Sequence, residues 1–416
     1  MQVATGQRPI RLAIVHYRDD ALVGGSLRVG ETLANHLDPN CVETHLVFAY
    51  GGPGPVTERR LAPTHFLRSK GPTDFAAWRR ARRLFADLCP DIIHYMDAVV
   101  WLNLALSRTP YVKIIHVHFN PVIVLEERVE DLMPNIKMIH VHGKPVFVHT
   151  PKWYQRFLSR AIGRAADATI CITDGARQSV LRLGWARFDR CWTVHNGVDA
   201  YSFMKVPSRE DARRLLRLPR DTHLLGMVCR LIGNKGCLDA FALLRHLSDD
   251  WHLVLCGDGP QRCELETRAK SSGLGGRVHF LGLLHDVRPV YAAIDAYLFL
   301  SHYESFGLVL AEAMAANVPV FGLGGGGEYR EPGYPLVTTD NAIFFNREQP
   351  GDNVPFEQSL VMRQLAAAIE KYGDNPDTYG EMAAKARRWV QQKFDAGVQA
   401  EQVWSLYRQI LQTTRQ

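Results

Sequence analysis

The residues of this chain most able to do chemistry are two glutamates, two basic residues and a glycine pair. Glu304 and Glu312 stand eight positions apart in Ala296–Glu328, AYLFLSHYESFGLVLAEAMAANVPVFGLGGGGE. Glu304 precedes a helical pattern of Leu308, Leu310, Ala311, Met314 and Ala315. Glu312 lies just over two turns into it, so both carboxylates can face one cleft. A carboxylate beside a phosphate site is costly unless hydroxyls donate to it, as those of a sugar or ribose do. Ser305, Phe306 and Gly307 open that helix, whose free N–H groups and positive dipole suit a phosphate. Arg230 and Lys235 flank a turn after another apolar strand, a fork-shaped and a point-like cation able to clamp a diphosphate. Gly24-Gly25 follows a strand at Arg11–His16 and precedes a helix at Leu27–His36, where backbone N–H groups can approach an anion. The turn is not G-x-G-x-x-G, which argues against a nicotinamide or flavin cofactor. Singly, each feature reads as a solvated side chain or a plain turn. Their shared context, strand end running into helix start, carries the chemistry.

That context is the βαβ unit of a parallel sheet, in which ligands sit at the carboxyl ends of strands. Ala296–Leu300, a polar turn, the helix and Val318–Phe321 make one such unit. Thr222–Cys229 opens a series that continues through Leu253–Cys256, with its Gly257-Asp-Gly-Pro260 turn, and Val278–Leu281. The first half holds strands at Arg11–His16, Glu43–Ala49, a segment from Pro90 to Asp97, and Cys191–His195. An internal repeat at an offset of 24 residues matches Pro110–Val124 to Pro134–Val148. Each copy is an apolar strand closing in His-x-His, at His116/His118 and His140/His142. A parallel pairing would bring the four rings together. No Cys or carboxylate stands beside either copy at metal-ligand spacing, so no metal is expected.

Glu304-Ser-Phe-Gly-Leu-Val-Leu-Ala-Glu312 resembles the E-x7-E signature of retaining glycosyltransferases of family 4, which have the GT-B fold. The likeness extends to Gly24-Gly25, the segment Pro90-Asp-Ile-Ile-His-Tyr-Met-Asp97, the run Asn196-Gly-Val-Asp199, and the R-x4-K-G spacing of Arg230 and Lys235. It implies an α/β protein of two Rossmann-like domains facing across a cleft. The expected division is an acceptor domain over 1–198, a donor domain over 199–392, and a C-terminal helix over about 393–416 crossing back. It implies a nucleotide-diphosphate-sugar donor, transfer to an acceptor hydroxyl with retention, and no cofactor or metal, since Arg230 and Lys235 take the cation's part. Gly24, Gly25, Arg230, Lys235, Gly257, Ser305, Phe306, Gly307, Leu308 and Glu312 are expected on the donor. Glu304, Arg230 and Lys235 are expected at the reaction, with the family's cleft histidine at His118 or His142. Asp97 and Tyr17 are assigned to the acceptor, whether a small metabolite, a lipid-linked sugar or a polysaccharide. The alternatives are an epimerase, hydrolase or phosphorylase of the same fold, or a non-catalytic nucleotide-sugar-binding protein.

The 416 residues suffice for two domains with full cores. Residues 1–200 hold 25 Lys/Arg against 18 Asp/Glu, a balance of +7, and the remainder balances at −1. A basic first half fits an acidic acceptor or peripheral contact with an anionic membrane. Without interleaved aromatics or a recognition motif it does not fit nucleic acid. The segment from Trp78 to Cys89 carries four of the arginines beside an apolar stripe of Trp78, Ala81, Leu84, Phe85 and Leu88, which reads mainly as a basic outer face over a packed helix. Eight scattered cysteines without CxxC spacing, and no long apolar segment, predict a reduced cytoplasmic protein. The tail ends in a stripe of Val403, Leu406, Tyr407 and Ile410 at helical spacing, which the resemblance implies packs on the first domain.

Overall fold

A computed structural model describes residues 8–19, 25–54, 62–96, 99–118, 136–141, 144–149, 160–161, 163–302, 304–324, 336–346 and 358–414. Side chains are not described for 136–141 and 144–149. Gly24, Asp97 and His142 lie outside the described residues.

Two parallel sheets organise the chain. The first is built from β1 (Ile10–Arg18), β2 (Val42–Tyr50), β3 (Thr64–Ser69), β4 (Ile92–Tyr95), β5 (Val112–Val117), β8 (Ala168–Cys171) and β9 (Cys191–Thr193). Its order is β3-β2-β1-β4-β5-β8-β9, every pair parallel. The second sheet holds β10 (His223–Val228), β11 (Trp251–Cys256), β12 (Val278–Gly282), β13 (Ala296–Phe299), β14 (Val320–Gly324) and β15 (Ile343–Asn346). Its order is β12-β11-β10-β13-β14-β15, again all parallel. Both are doubly wound sheets whose order reverses beside the first strand, between β1 and β4 and between β10 and β13. Such a switch point splays the flanking loops apart and leaves a crevice at the strand ends. The strands are nearly continuous apolar runs, as burial on both faces requires. Leu12–Val15 and Leu253–Cys256 are at most 1% exposed.

The repeat does not pair as expected. The second copy forms β6 (Ile136–Val141), which runs antiparallel to β7 (Lys144–His149) in a separate two-stranded sheet. Two residues separate β6 from β7, enough for a hairpin and far too few for a parallel crossover. Both edges of β5 are taken, by β4 and β8, so the first copy has no side left for the second.

The last helix, Ala396–Thr414, returns to the first sheet. Val403, Leu406, Tyr407 and Ile410 pack in one core with Leu12, Ile14 and Ile114. Where the chain crosses between halves, its two passages are tied together. Val198 N–H donates to Phe394 O at 2.9 Å, Ala396 N–H to Val198 O at 2.8 Å, and Gly197 N–H to Gln399 Oε1 at 3.0 Å. A methyl group on Gly197 would sit 2.8 Å from Ala396 Cα. Gly197→Ala is therefore expected to push the passages apart and to cost about 1–3 kcal/mol of stability, read as a lower urea midpoint. A wild-type midpoint would show that the crossing is loosely packed. The basic helix Phe75–Leu88 buries Ala77, Ala81 and Phe85. Its Arg80 and Arg82 donate to the carbonyls of Leu67 and Ala105 at 3.0 and 3.1 Å, so packing accounts for two of the four arginines. Among the described residues no helix is long and apolar enough to cross a membrane.

Candidate active site

A cleft of about 640 Å³ opens between the two sheets, lined from the first half by residues such as Gly25, Arg28 and His118 and from the second by Arg230, Lys235 and Glu304. Strand ends build it. After β10 the chain turns through Arg230 into a short 3-10 turn, Gly233–Lys235, and then helix Cys237–Leu244. Gly236 stands in left-handed conformation at φ +72°, where a methyl group would lie 2.3 Å from Leu300 O. Only glycine lets this turn pass so close to the end of β13. The two loops are also stitched together, with His302 N–H donating to Asn234 O at 2.8 Å and the His302 ring 2.8 Å from Asp239. Lys235 Nζ donates to Glu304, side chains 17% and 20% exposed. Burial pulls the Lys235 ammonium down, but the charge and hydrogen bond of Glu304 outweigh it and hold it above its ordinary value. Arg230 is exposed beside this pair, and among the described residues its guanidinium has no acidic partner. Lys235 therefore meets the cleft held in an ion pair, and Arg230 meets it with its guanidinium exposed.

Gly307, at φ +78°, caps helix Leu308–Ala315, whose first residues Leu308 and Val309 line the cleft. Phe306 is 2% exposed and stacks near His195, locking that turn from behind. Four residues further in, Glu312 is 2% exposed yet reaches the cleft. Its two oxygens accept from Arg28 Nη1 and from the Tyr291 hydroxyl, each at 2.8 Å. Glu312 draws the half-exposed Arg28 guanidinium above its ordinary value, and burial pushes the Tyr291 hydroxyl well up. Arg28 belongs to helix Gly25–His36 of the first half, so this ion pair joins the halves across the cleft. Gly25 opens that helix, with room for a methyl group only at 3.1 Å from Leu308. The helix starts two residues earlier than expected. Gly257, at φ +138°, lies under the cleft where a methyl group would strike Cys229 O at 1.9 Å.

His118 lines the cleft and stacks on His116 at 4.2 Å. Behind them His116 Nδ1 lies 3.2 Å from His94 Nε2, and His94 Nδ1 lies 2.5 Å from the Tyr407 hydroxyl of the returning helix. Burial, then the neighbouring His118 and His16 rings, holds His94 down to about 3, so it is neutral at working pH. Among the described residues no group of three His, Cys, Asp or Glu side chains could hold a metal.

Of the residues read from sequence, Gly25, Arg230, Lys235, Gly257, Glu304, Ser305, Phe306, Gly307, Leu308, Glu312 and His118 all line this one cleft. Tyr17 does not line it. It is 44% exposed and leans on Tyr50 at 4.5 Å. Arg28 and Tyr291 escaped the sequence reading. A cation three residues past Gly25 on the same helix start was the available signal for Arg28.

Two doubly wound sheets facing across a cleft, with the last helix returned to the first, define the GT-B class of α/β proteins. Residues 23–201 match the family model described as Glycosyltransferase Family 4, and residues 208–389 match that described as Glycosyl transferases group 1. The chain belongs to the family 4 glycosyltransferases. It is 32% identical to the lipopolysaccharide core biosynthesis glycosyltransferase LpsE of Rhizobium meliloti, over 38% of this chain and 44% of that protein. It is 36% identical to the D-inositol 3-phosphate glycosyltransferase of Xylanimonas cellulosilytica, over 39% of this chain and 42% of that one. The chain thus matches under half the length of these two relatives. Its fold is similar to that of HepE of Anabaena, crystallised with UDP and glucose, at a TM-score of 0.72 and 18% identity over 95% of this chain and 99% of that one. Sucrose-phosphate synthase of Thermosynechococcus elongatus is similar at a TM-score of 0.70 and 20% identity, over 97% and 100% of the two chains.

Proposed function

We propose that this protein is a retaining glycosyltransferase that moves a sugar from a nucleotide-diphosphate-sugar to an acceptor hydroxyl. The observation that supports it most is the convergence of Arg230, the Lys235–Glu304 pair, the helix start at Gly307 and Glu312 on one interdomain cleft. In this reading the donor diphosphate lies against Arg230, Lys235 and the N–H groups after Gly307. Charge that develops on the departing diphosphate is then met by cations and dipoles already in place. These cations take the part a metal ion would otherwise play. Glu312 receives the ribose hydroxyls, since a carboxylate with one hydrogen bond on each oxygen keeps a lone pair on each. Glu304 receives hydroxyls of the sugar. This reading uses no covalent intermediate on the protein, and the acceptor attacks on the face the leaving group quits, under His118. Retention rests on the Glu304–Glu312 signature.

Thermal unfolding of the purified protein with UDP, GDP, ADP, TDP, CMP and NAD tests the donor site, because a ligand of the native state raises the melting temperature. UDP comes first, since the HepE crystals hold it. The expected result is a rise with one nucleoside diphosphate that EDTA does not abolish. NMR of the transfer product is then expected to show the donor's anomeric configuration. A rise with NAD alone, or with none, removes the donor assignment. Nucleotide release with no acceptor consumed favours a hydrolase or epimerase.

A further inference from the structure

Two of the cysteine pairs place their sulfurs 3.9 Å apart, Cys171 with Cys191 and Cys229 with Cys237. They differ in what can reach them. Cys171 and Cys191 are 0% and 3% exposed, sealed in a core with Val117, Ala176 and Val180. Cys229 is half-buried and lines the donor cleft at the end of β10, while Cys237 sits behind it as the first residue of the next helix. The seven residues between them, Arg230–Gly236, carry both cations assigned to the diphosphate.

We propose that Cys229 and Cys237 form a thiol–disulfide site that closes the donor cleft when oxidised. This rests on the reading of Arg230 and Lys235 as donor contacts. A peroxide enters by the cleft. The Cys229 thiolate attacks one peroxide oxygen, breaking the O–O bond and giving a sulfenic acid and, after protonation, water. The Cys237 sulfur then attacks the Cys229 sulfur, losing its proton and expelling a second water. Two thiols surrender two electrons and two protons, and hydrogen peroxide is reduced to two molecules of water. The sulfurs need to approach only to about 2.05 Å, the length of a disulfide. The hydrogen bond from Cys237, and the Lys235 ammonium, hold the Cys229 thiol below its ordinary value against the opposing effect of burial, which favours the reactive thiolate. The intervening turn has little freedom to absorb the change. Gly236 is pressed on Leu300 and Asn234 is bonded to His302, so the strain falls on Arg230 and Lys235.

The test treats the reduced full-length protein with hydrogen peroxide and maps disulfides by mass spectrometry without reduction. Binding of the nucleoside diphosphate that stabilises the reduced protein is measured on the same samples. We expect a Cys229–Cys237 peptide, free Cys171 and Cys191, and binding weaker by about tenfold or more, the scale of one charge-assisted contact. Dithiothreitol restores it. Bound nucleoside diphosphate is expected to slow formation of the linked peptide. Cys237→Ala is expected to bind normally and to resist the loss, and Cys171→Ala to be lost like wild type. No linked peptide, linkage of Cys171 to Cys191 in its place, or linkage with unchanged binding each overturns the proposal. If the reduced protein binds none of the nucleotides, the donor reading falls and the gating with it, while the peptide map still decides whether the thiols pair.

Discussion

Lys235→Ala is expected to lower the transfer rate by about 10²–10³ fold, the scale found when one donor to a developing charge is removed. The loss has two parts. The first is the missing cation on the diphosphate. The second is Glu304, whose carboxylate loses the partner that neutralises it while still facing an incoming anion. At 17% and 20% exposure the two side chains are shielded enough for that repulsion to persist at physiological salt. Glu304→Gln keeps the shape and removes the charge. The double variant Lys235→Ala/Glu304→Gln should therefore bind nucleoside diphosphate better than Lys235→Ala alone, and calorimetric titration of the three proteins reads the coupling. Equal affinity in wild type and Lys235→Ala would place the diphosphate elsewhere. The pair is not a pH switch near neutrality. A lysine raised above 10.5 lends stability that is fully present below that value and lost only as pH climbs through the higher folded value. Any alkaline loss of binding nearer neutrality must arise at another group.

The parts of this site visible in the sequence are those a parallel sheet places by rule. Ser305–Leu308, Arg230, Lys235 and Gly257 all follow apolar runs of strand length, and such loops share one edge of their sheet whatever the rest of the chain does. What crosses between elements was not visible. Arg28 and Glu312 are 284 residues apart and Tyr407 and His94 are 313 apart, and no periodicity relates them. Tyr291 carries no signal in the sequence, because its ring is buried and only its hydroxyl reaches Glu312. Gly25 read as loop since glycine is a poor helix former, yet the helix begins on it. The His-x-His repeat misled for a related reason. Similar runs share a strand propensity, but partners and register depend on which sheet edges are still open, and β5 had none. The stripe Val403, Leu406, Tyr407 and Ile410 was legible as a buried helix face, and its place against the first sheet followed from the family likeness.

Asp295 shows the same limit at the level of stability, and its replacement should have the largest effect of any single change on folding. In sequence it is the first polar residue before an apolar strand. In the structure its side chain is 3% exposed, and it receives Leu224 N–H and Arg213 Nη2, both at 2.7 Å, with the exposed Arg209 at 2.8 Å. Arg213 is itself 2% exposed and spends its remaining donors on the carbonyls of Ala293, Arg220 and Thr222. One buried guanidinium thus ties helix Arg209–Leu216 to the start of β10 and to the segment that enters β13. Asp295→Ala would leave that charge without its counter-ion and Leu224 N–H without an acceptor, a loss of about 3–5 kcal/mol. Against a typical total of about 5–15 kcal/mol this brings the second half close to its threshold. Urea unfolding followed by fluorescence of Trp251, buried in that half, reads the change. Removing both charges in Arg213→Met/Asp295→Ala should cost less than Asp295→Ala alone, since an apolar side chain needs no counter-ion. If Asp295→Ala loses under about 1 kcal/mol, the range of an exposed pair, water must reach Arg213 in solution. Nucleoside diphosphate affinity of the protein that stays folded should be nearly unchanged, because Asp295 stands at the far end of β13 from Glu304. That separates a residue that holds the sheet together from those at its other edge that meet the ligand.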